Sequence, residues 1–264
     1  MTKNIKSKKY MRRLNADSIY TGIPDLDWKT GGFERGKLIT LGGRPGSGKT
    51  MFMITCICNL IDKGNDSILY FSLDNDKTRF LHRLIKSYAR VDIDDPSCSC
   101  VDKENICITM KKLSLTGIKI HDATKKRRTI KSIKKVCHKY AKNHKAIDLI
   151  VISSFELIDM KYNKEGVVKA LKSLKQLAID NDCSILLLTN LKGGIEKRED
   201  SVPMLSDFKY KRSITTYSDH IWALHNGDYV NQDPLSRLYI LKGNQGYINL
   251  IPLRRYGVMA VPKS

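Results

Sequence analysis

The sequence lacks any run of about 18–20 uncharged apolar residues, the length that a membrane-spanning helix requires. No apolar segment follows the basic residues at the N-terminus, so a secretory signal is excluded as well. Acidic side chains are scarce: 27 Asp and Glu stand against 47 Lys and Arg, a formal net charge of +20. This excess predicts a polyanionic partner, either a nucleic acid or an anionic membrane surface.

Cysteines in zinc-binding spacing are also missing. Among seven cysteines, Cys98, Cys100 and Cys107 lie close together, but the C-x-C-x6-C pattern has no fourth ligand nearby. Free thiols are the favoured interpretation, and a metal ion at these three residues is the alternative. Free thiols are typical of a reducing compartment, so we expect a cytoplasmic protein.

The chain has 264 residues, of which 41% are hydrophobic and 28% charged, and this excludes a wholly disordered or collagen-like protein. The length fits one large α/β domain or two small ones. Residues 1–15 are polar and basic and predict a flexible arm. We expect residues 16–264 to form a single domain.

Alternating apolar runs and helical patterns predict the fold class. Short apolar runs predict strands at residues 37–41, 67–73, 117–121, 146–153, 183–189, 219–224, 238–241 and 247–253. Apolar residues at helical spacing predict helices at 50–63, 77–90, 124–143 and 167–180. Such alternation is typical of a parallel sheet covered on both faces. The last three strands have no helix between them and predict antiparallel hairpins, while the polar stretches 92–104 and 192–211 predict long loops.

One segment fits the phosphate-loop pattern G-x4-G-K-[ST] at every position, between a predicted strand and a predicted helix. Glycines let the backbone wrap around a phosphate chain, and the helix dipole favours an anion there. The lysine suits the β- and γ-phosphates, and the threonine hydroxyl suits Mg²⁺. The predicted nucleotide-binding residues are Gly43, Arg44, Pro45, Gly46, Ser47, Gly48, Lys49 and Thr50.

The residues around this loop resemble the RecA-like motor domain of DnaB-type replicative helicases. Before it stand TGIPDLD at 21–27 and GGF at 31–33; after it, ILYFSLD at 68–74 is similar to the family's FSLE strand. Leu149–Leu157 is similar to LI-IDYLQL, and KGNQG at 242–246 to KQRNG. The resemblance extends over about residues 20–255, without the family's N-terminal helical domain.

The resemblance implies a RecA-like P-loop fold, ATP and Mg²⁺ as cofactors, and a hexameric ring that passes single-stranded DNA through a basic channel. Replication proteins would be further partners. It implies a catalytic role for Lys49 and for Asp74, which stands where the family has a glutamate. Asn190 would contact the γ-phosphate in place of a glutamine, and Lys242 would reach a nucleotide across a subunit interface.

The sequence departs from the family where charge matters. Ser153 replaces the aspartate that would assist Thr50 at the metal, and Asn244 replaces an arginine that would act in trans. The side chains of Asp74 and Asn190 are each one methylene shorter than the glutamate and the glutamine that the family has at these positions. An arginine that acts in trans accelerates hydrolysis on the order of 10³–10⁵-fold. Without it we expect slow ATP hydrolysis, with nucleotide binding retained.

Two other carboxylates flank the degenerate strand. Strand alternation places Asp148 on the face opposite to Ser153, so it cannot replace the missing aspartate. Glu156 lies past the strand end, where a loop could turn it toward the nucleotide; alternatively, it is a solvated loop carboxylate.

Basic residues concentrate in residues 125–145, which hold ten Lys and Arg and no acidic residue. Contact with nucleic acid, a solvated helix face and an anionic membrane surface are the alternatives, and the phosphate loop disfavours the membrane. A Lys-rich composition can also reflect an AT-rich genome. By family position, better candidates for sequence-independent DNA contact lie in two loops: Lys161, Lys164, Lys192, Lys197, Arg198 and Lys209.

Two functions remain open at this point. The first is a DnaB-like helicase core that binds ATP, Mg²⁺ and single-stranded DNA, with weakened hydrolysis. The second is an accessory or loader-like ATP-binding protein that does not translocate. A small-molecule P-loop kinase is disfavoured because no cluster of lid arginines is recognisable.

Overall fold

A nine-stranded sheet organises the computed structural model, in the order β3-β2-β4-β5-β1-β6-β7-β8-β9. Six strands are parallel, and β7, β8 and β9 continue the sheet as antiparallel hairpins. The structure describes residues 19–124, 128–143, 146–161, 163–195, 198, 202–226, 235–243, 249–256 and 259–262. The predicted arm at 1–15 lies outside them.

The central parallel strands carry near-continuous apolar sequence, whereas β3 at the edge has the sequence KIHD. The carboxyl ends of the central four meet at one edge of the sheet. The strands are β1 Leu38–Gly43, β2 Ile68–Ser72, β3 Lys119–Asp122, β4 Leu149–Ile152, β5 Ser184–Asn190, β6 His220–Asn226, β7 Leu235–Lys242, β8 Asn249–Tyr256 and β9 Met259–Pro262. The fold class and the antiparallel C-terminal hairpins expected from the sequence are confirmed.

Helices cover both faces of the sheet, as parallel strands require. They are α1 Pro24–Thr30, α2 Lys49–Asp62, α3 Lys77–Ala89, α4 Cys100–Leu115, α5 Ile130–Asn143, α6 Lys164–Asp180 and α7 Lys211–Tyr217. Two 3₁₀ turns, Phe155–Leu157 and Leu205–Asp207, lie in the connections.

Alternation along each strand divides the core into two layers. In β2, Tyr70 packs in the layer with α2 and α3, whereas Leu69 and Phe71 pack in the layer with α5 and α6. The central strands β1, β2 and β4 are therefore buried on both sides, and their backbone ends are held in fixed positions at the edge.

The helices and the cysteines bear on two expectations from composition. None of the helices in the described ranges combines the length and the apolar character that crossing a membrane would need. All seven cysteines are free thiols, and the described residues contain no cluster of three potential metal ligands. The metal-binding alternative for Cys98, Cys100 and Cys107 is therefore not supported.

The sequence prediction missed α1, α4, α7 and β9. The loop predicted at 92–104 is wrong in its last part, because α4 begins at Cys100. The buried residues of α4 are Thr109 and Leu113, whereas its apolar residues Val101 and Leu115 are exposed. Its apolar residues therefore do not follow the one-sided pattern that identifies a helix. The loop predicted at 192–211 likewise contains the second 3₁₀ turn and meets α7 at its end.

His220 is a buried titratable group at the start of β6. Its side chain is fully buried, and neither ring nitrogen has a hydrogen-bond partner among the residues that the structure describes. A carboxylate lies at the edge of ion-pair range, with 3.8 Å between His220 Nε2 and Glu34 Oε1. Burial lowers the pKa of His220 to about 4, partly opposed by the charge of Asp219.

This burial predicts a loss of stability in acid. Between the ordinary pKa of histidine and about 4, the unfolded state binds the proton and the folded state does not. We expect His220 to contribute a loss of about 2 kcal/mol in the free energy of unfolding between pH 7 and pH 5. Urea unfolding of the wild type and His220→Gln at both pH values measures it. The loss should be smaller in the variant, and equal losses would contradict the prediction.

Candidate nucleotide-binding site

The segment predicted to bind phosphate joins the end of β1 to the start of α2. Two glycines in it adopt left-handed backbone conformations, with φ of +77° at Gly46 and +88° at Gly48, the residue before the helix. Other residues rarely adopt such values, so the glycines have a conformational reason to be there. The loop therefore presents its backbone at the positive end of the α2 dipole.

The loop is tightly packed against its own first residue. A Cβ atom on Gly43 would lie 2.4 Å from Ser47 Oγ, closer than any real contact allows. Ser47 is buried, and its hydroxyl has no hydrogen-bond partner within the described part of the chain. An unsatisfied buried hydroxyl costs free energy, so this group is suited to an external acceptor such as a phosphate oxygen.

Lys49 turns its ammonium group back into the loop. Its Nζ donates hydrogen bonds to the carbonyl oxygens of Gly43 at 2.8 Å and Arg44 at 3.0 Å. Burial lowers the pKa of Lys49 to about 8, while the charges of Glu156 and Asp74 act in the opposite direction. The cation is thus held in place by carbonyls and balanced by carboxylates across the cleft.

Ser153 joins the ends of β2 and β4. Its hydroxyl oxygen accepts a hydrogen bond from Leu73 N at 3.0 Å and donates one to Asp74 Oδ1 at 2.7 Å. The residue at the position of the missing aspartate therefore orients the nearest carboxylate of the neighbouring strand.

A sharp turn after β4 places Glu156 at the end of β5. Ser154 has φ of +112° and ψ of 90°, a conformation that non-glycine residues rarely adopt. In the 3₁₀ turn that follows, Glu156 Oε1 accepts hydrogen bonds from Thr189 Oγ1 at 2.5 Å and from Asn190 N at 2.7 Å. Of the two alternatives for Glu156, the structure supports the one in which it faces the nucleotide loop.

These strand ends surround one cleft of about 710 Å³. Most residues predicted to act together line it: Pro45, Gly46, Gly48, Lys49, Thr50, Asp74, Ser153 and Asn190. Side chains that the sequence prediction missed close its far side: His82, Arg83, Lys86 and Asp94. The signal available for the first three was their spacing on α3, where 82, 83 and 86 share one helix face.

Comparison with known proteins identifies the family. A model of the DnaB-like helicase C-terminal domain matches residues 18–259. The chain belongs to this family.

Its relatives are replicative helicases. It is 29% identical over 255 residues to replicative DNA helicase DnaB of Geobacillus stearothermophilus, covering 90% of this chain and 56% of that protein. It is 26% identical over 254 residues to replicative DNA helicase DnaC of Bacillus subtilis, covering 92% and 55%. The chain therefore spans about half the length of the curated relatives it matches.

Solved structures agree on the fold. One solved ATPase domain matches with a TM-score of 0.85 at 20% identity, covering 100% of this chain and 98% of that one. A DnaB-like replicative helicase, from a structure on its interactions with primase, matches with a TM-score of 0.86 at 20% identity, covering 98% and 66%. The RecA-like fold expected from the sequence is confirmed.

One predicted DnaB-family position, Lys242, is not among the residues that line the cleft of its own chain. Lys242 ends β7, and its Nζ donates to the carbonyls of Thr215 at 2.8 Å and Ser218 at 2.7 Å, at the C-terminus of α7. A cation at that end of a helix is favourable, so this lysine has a structural role within its own chain. Asn244, predicted at the arginine position, lies outside the described residues.

The residues predicted to contact DNA differ in availability. Lys161, Lys164, Lys192 and Lys209 are exposed, whereas Lys197 lies outside the described residues. Arg198 forms a bidentate pair with Asp207, with both nitrogen–oxygen distances at 2.9 Å, and also donates to the Val202 carbonyl. Its guanidinium therefore holds the loop together, and DNA contact by Arg198 would require this pair to open.

The basic segment predicted at 125–145 forms α5 from Ile130 onward. Ile133, Cys137 and Tyr140 are buried against the sheet, and the opposite face exposes Lys131, Lys135, Lys139 and Lys142. The predicted separation of basic and apolar faces is confirmed for the described residues; residues 125–127, 144 and 145 lie outside them.

The backbone of Ser154 provides a test of strain in this site. A glycine adopts φ of +112° more readily than a residue with a Cβ, and such strain costs of order 1–3 kcal/mol. We expect the free energy of unfolding of Ser154→Gly to be about 1 kcal/mol higher than that of Ser154→Ala. This difference already includes the entropic cost of introducing a glycine. Alanine is the control because both variants lose the hydroxyl. A less stable glycine variant in chemical denaturation would contradict the assignment of strain.

Proposed function

We propose that the chain is the motor core of a DnaB-like replicative helicase that binds ATP with Mg²⁺ and single-stranded DNA, and that its ATP hydrolysis is slow. The observation that carries the nucleotide part is the loop from Gly43 to Thr50, with its half-buried lysine, its unsatisfied Ser47 hydroxyl and its left-handed glycines. The free thiols fit a cytoplasmic location.

The residues of the cleft fit a nucleoside triphosphate. Lys49 lines the cleft and is the cation for the β- and γ-phosphates. Thr50, in the first turn of α2, supplies the hydroxyl for the metal, and the carboxylates of Asp74 and Glu156 line the same cleft. Bound Mg²⁺ would neutralise charge on the phosphate oxygens.

The slow rate follows from the groups opposite the lysine. Asp74 would hold a water for attack, but its Oδ1 already accepts the hydrogen bond from Ser153, and its side chain is shorter than the family's glutamate. A misplacement of about 1 Å can cost on the order of 10² in rate. Asn190 extends less far toward a γ-phosphate than a glutamine would.

The ring and its trans contact are part of the proposal. In a homo-oligomeric ring, the end of β7 would face the nucleotide of the next subunit. Lys242 is tied to its own α7, so it would serve that interface through the position of the strand end rather than by reaching across. Light scattering with ATP and DNA present tests the ring, and a monomer under those conditions would contradict it.

Nucleotide binding is tested with Lys49→Ala. We expect the wild type to bind a fluorescent ATP analogue and the variant to lose at least about tenfold in affinity, because a buried phosphate then lacks its cation. Lys103→Ala, an exposed lysine on α4, is the control and should bind as the wild type does. Equal affinity in all three proteins would contradict the proposed site.

Turnover distinguishes the motor from the accessory protein. A slow helicase core should show ATP hydrolysis that single-stranded DNA stimulates and that Lys49→Ala abolishes. Nucleotide binding without any turnover would favour the accessory or loader-like function, which the absence of a carboxylate at Ser153 also favours.

DNA binding should depend steeply on salt, since lysines displace counterions from phosphates. We expect the pair Lys161→Gln and Lys164→Gln to weaken single-stranded DNA binding and to reduce the salt slope by about 1.4, at roughly 0.7 per lost contact. The matched control is Lys135→Gln with Lys139→Gln on α5. A larger effect of the control pair would move the interface to α5, and no salt dependence would contradict DNA binding.

A further inference from the structure

Glu156 stands out because its side chain is held by the neighbouring strand rather than by its own. The 3₁₀ turn Phe155–Leu157 follows β4, yet Glu156 Oε1 accepts from Thr189 Oγ1 and Asn190 N, both on β5. Ser154 Oγ adds a third bond, 3.3 Å to Oε2. A glutamate side chain is flexible, so this bonding is what fixes its carboxylate in the cleft.

The backbone supports the same placement. The strained conformation of Ser154 bends the chain out of the strand direction immediately before this turn. Strain of this kind persists where the surrounding structure enforces it, and it concentrates at functional sites. The turn brings the carboxylate back to the strand ends, where it lines the cleft with Thr50 and Lys49.

Without Glu156, the end of β4 would contribute no negative charge to the cleft. Ser153 is neutral, and its hydroxyl is used by Leu73 N and Asp74 Oδ1. Asp74 comes from β2, so among the described residues lining the cleft Glu156 is the carboxylate that β4 contributes. An ionised carboxylate keeps its negative charge while it accepts hydrogen bonds, so the bonds to Glu156 hold its charge in the cleft.

We propose that Glu156 is a positioning residue for Mg²⁺. Its carboxylate, three residues further along the chain, supplies the negative charge that Ser153 lacks. The proposal rests on the proposed nucleotide site. In it, Glu156 acts on the metal's hydration shell, while Asp74, on the other side of Ser153, remains available to orient the attacking water. The substitution at Ser153 is then a relocation of charge rather than a loss.

The test is Glu156→Gln, which keeps an oxygen that can accept from Thr189 and Asn190 while it removes the charge. The readout is the affinity for a fluorescent ADP analogue with Mg²⁺ and with EDTA, at constant ionic strength. We expect Mg²⁺ to strengthen binding to the wild type, and we expect the variant to lose about tenfold or more of that enhancement, as changes of metal-orienting groups do. The affinity of Glu156→Gln for the ADP analogue in EDTA should not fall below that of the wild type, because the variant removes a negative charge that would repel the phosphates.

Two control variants separate the outcomes. Glu104→Gln, which removes the charge of an exposed glutamate on α4, should retain the enhancement by Mg²⁺. The double variant Ser153→Asp with Glu156→Gln should restore it, because the charge returns to the end of β4. Enhancement of wild-type size in Glu156→Gln, or no recovery in a folded double variant, would overturn the proposal. A wild type that binds nucleotide in neither condition would instead contradict the proposed function itself.

Discussion

The half-buried ammonium of Lys49 is the constraint on which the site depends. Taking a lysine out of water is costly unless carbonyls and carboxylates surround it. The loop supplies the carbonyls of Gly43 and Arg44, which requires the chain to fold back tightly after β1. The carboxylates must come from other strands, and a parallel sheet delivers them because the carboxyl ends of its strands meet at one edge. The fold is therefore the means by which distant residues balance one charge.

The strand ends also show how a site can lose a residue of its motif and keep its architecture. Ser153 occupies the position of an aspartate, but its hydroxyl still connects β2 to β4 through Leu73 N and Asp74. Geometry at this edge is thus maintained by hydrogen bonds that do not need a charge. What changes is the electrostatic balance, which now depends on Asp74 and Glu156.

How much the sequence could predict depended on the range of the signal. The phosphate loop was predictable because glycines and a lysine at fixed spacing have a local conformational cause, and the strands were predictable because burial on both faces makes them continuously apolar. The orientation of Glu156 was left open, since it depends on hydrogen bonds to Thr189 and Asn190, more than thirty residues away. Helix α4 was not predictable from periodicity because its apolar residues do not lie on one face. Ser99 and Asp102 nevertheless form a capping box that marks its start.

The net charge of +20 overstates the surface available to a polyanion. Arg198 is paired with Asp207, Lys242 holds the end of α7, and Lys175 forms a 2.6 Å ion pair with Asp219. Arg198 closes its own loop, whereas Lys242 and Lys175 each join elements that are separate along the chain, so the charge of all three serves the fold. Among the described residues, the lysines that remain exposed include Lys131, Lys135, Lys139 and Lys142 of α5 and Lys161, Lys164, Lys192 and Lys209 of the two predicted DNA-contacting loops. A basic composition therefore indicates where DNA could bind only after the structural cations are set aside, because a lysine or arginine already held by the fold would have to break those contacts before it could neutralise a phosphate.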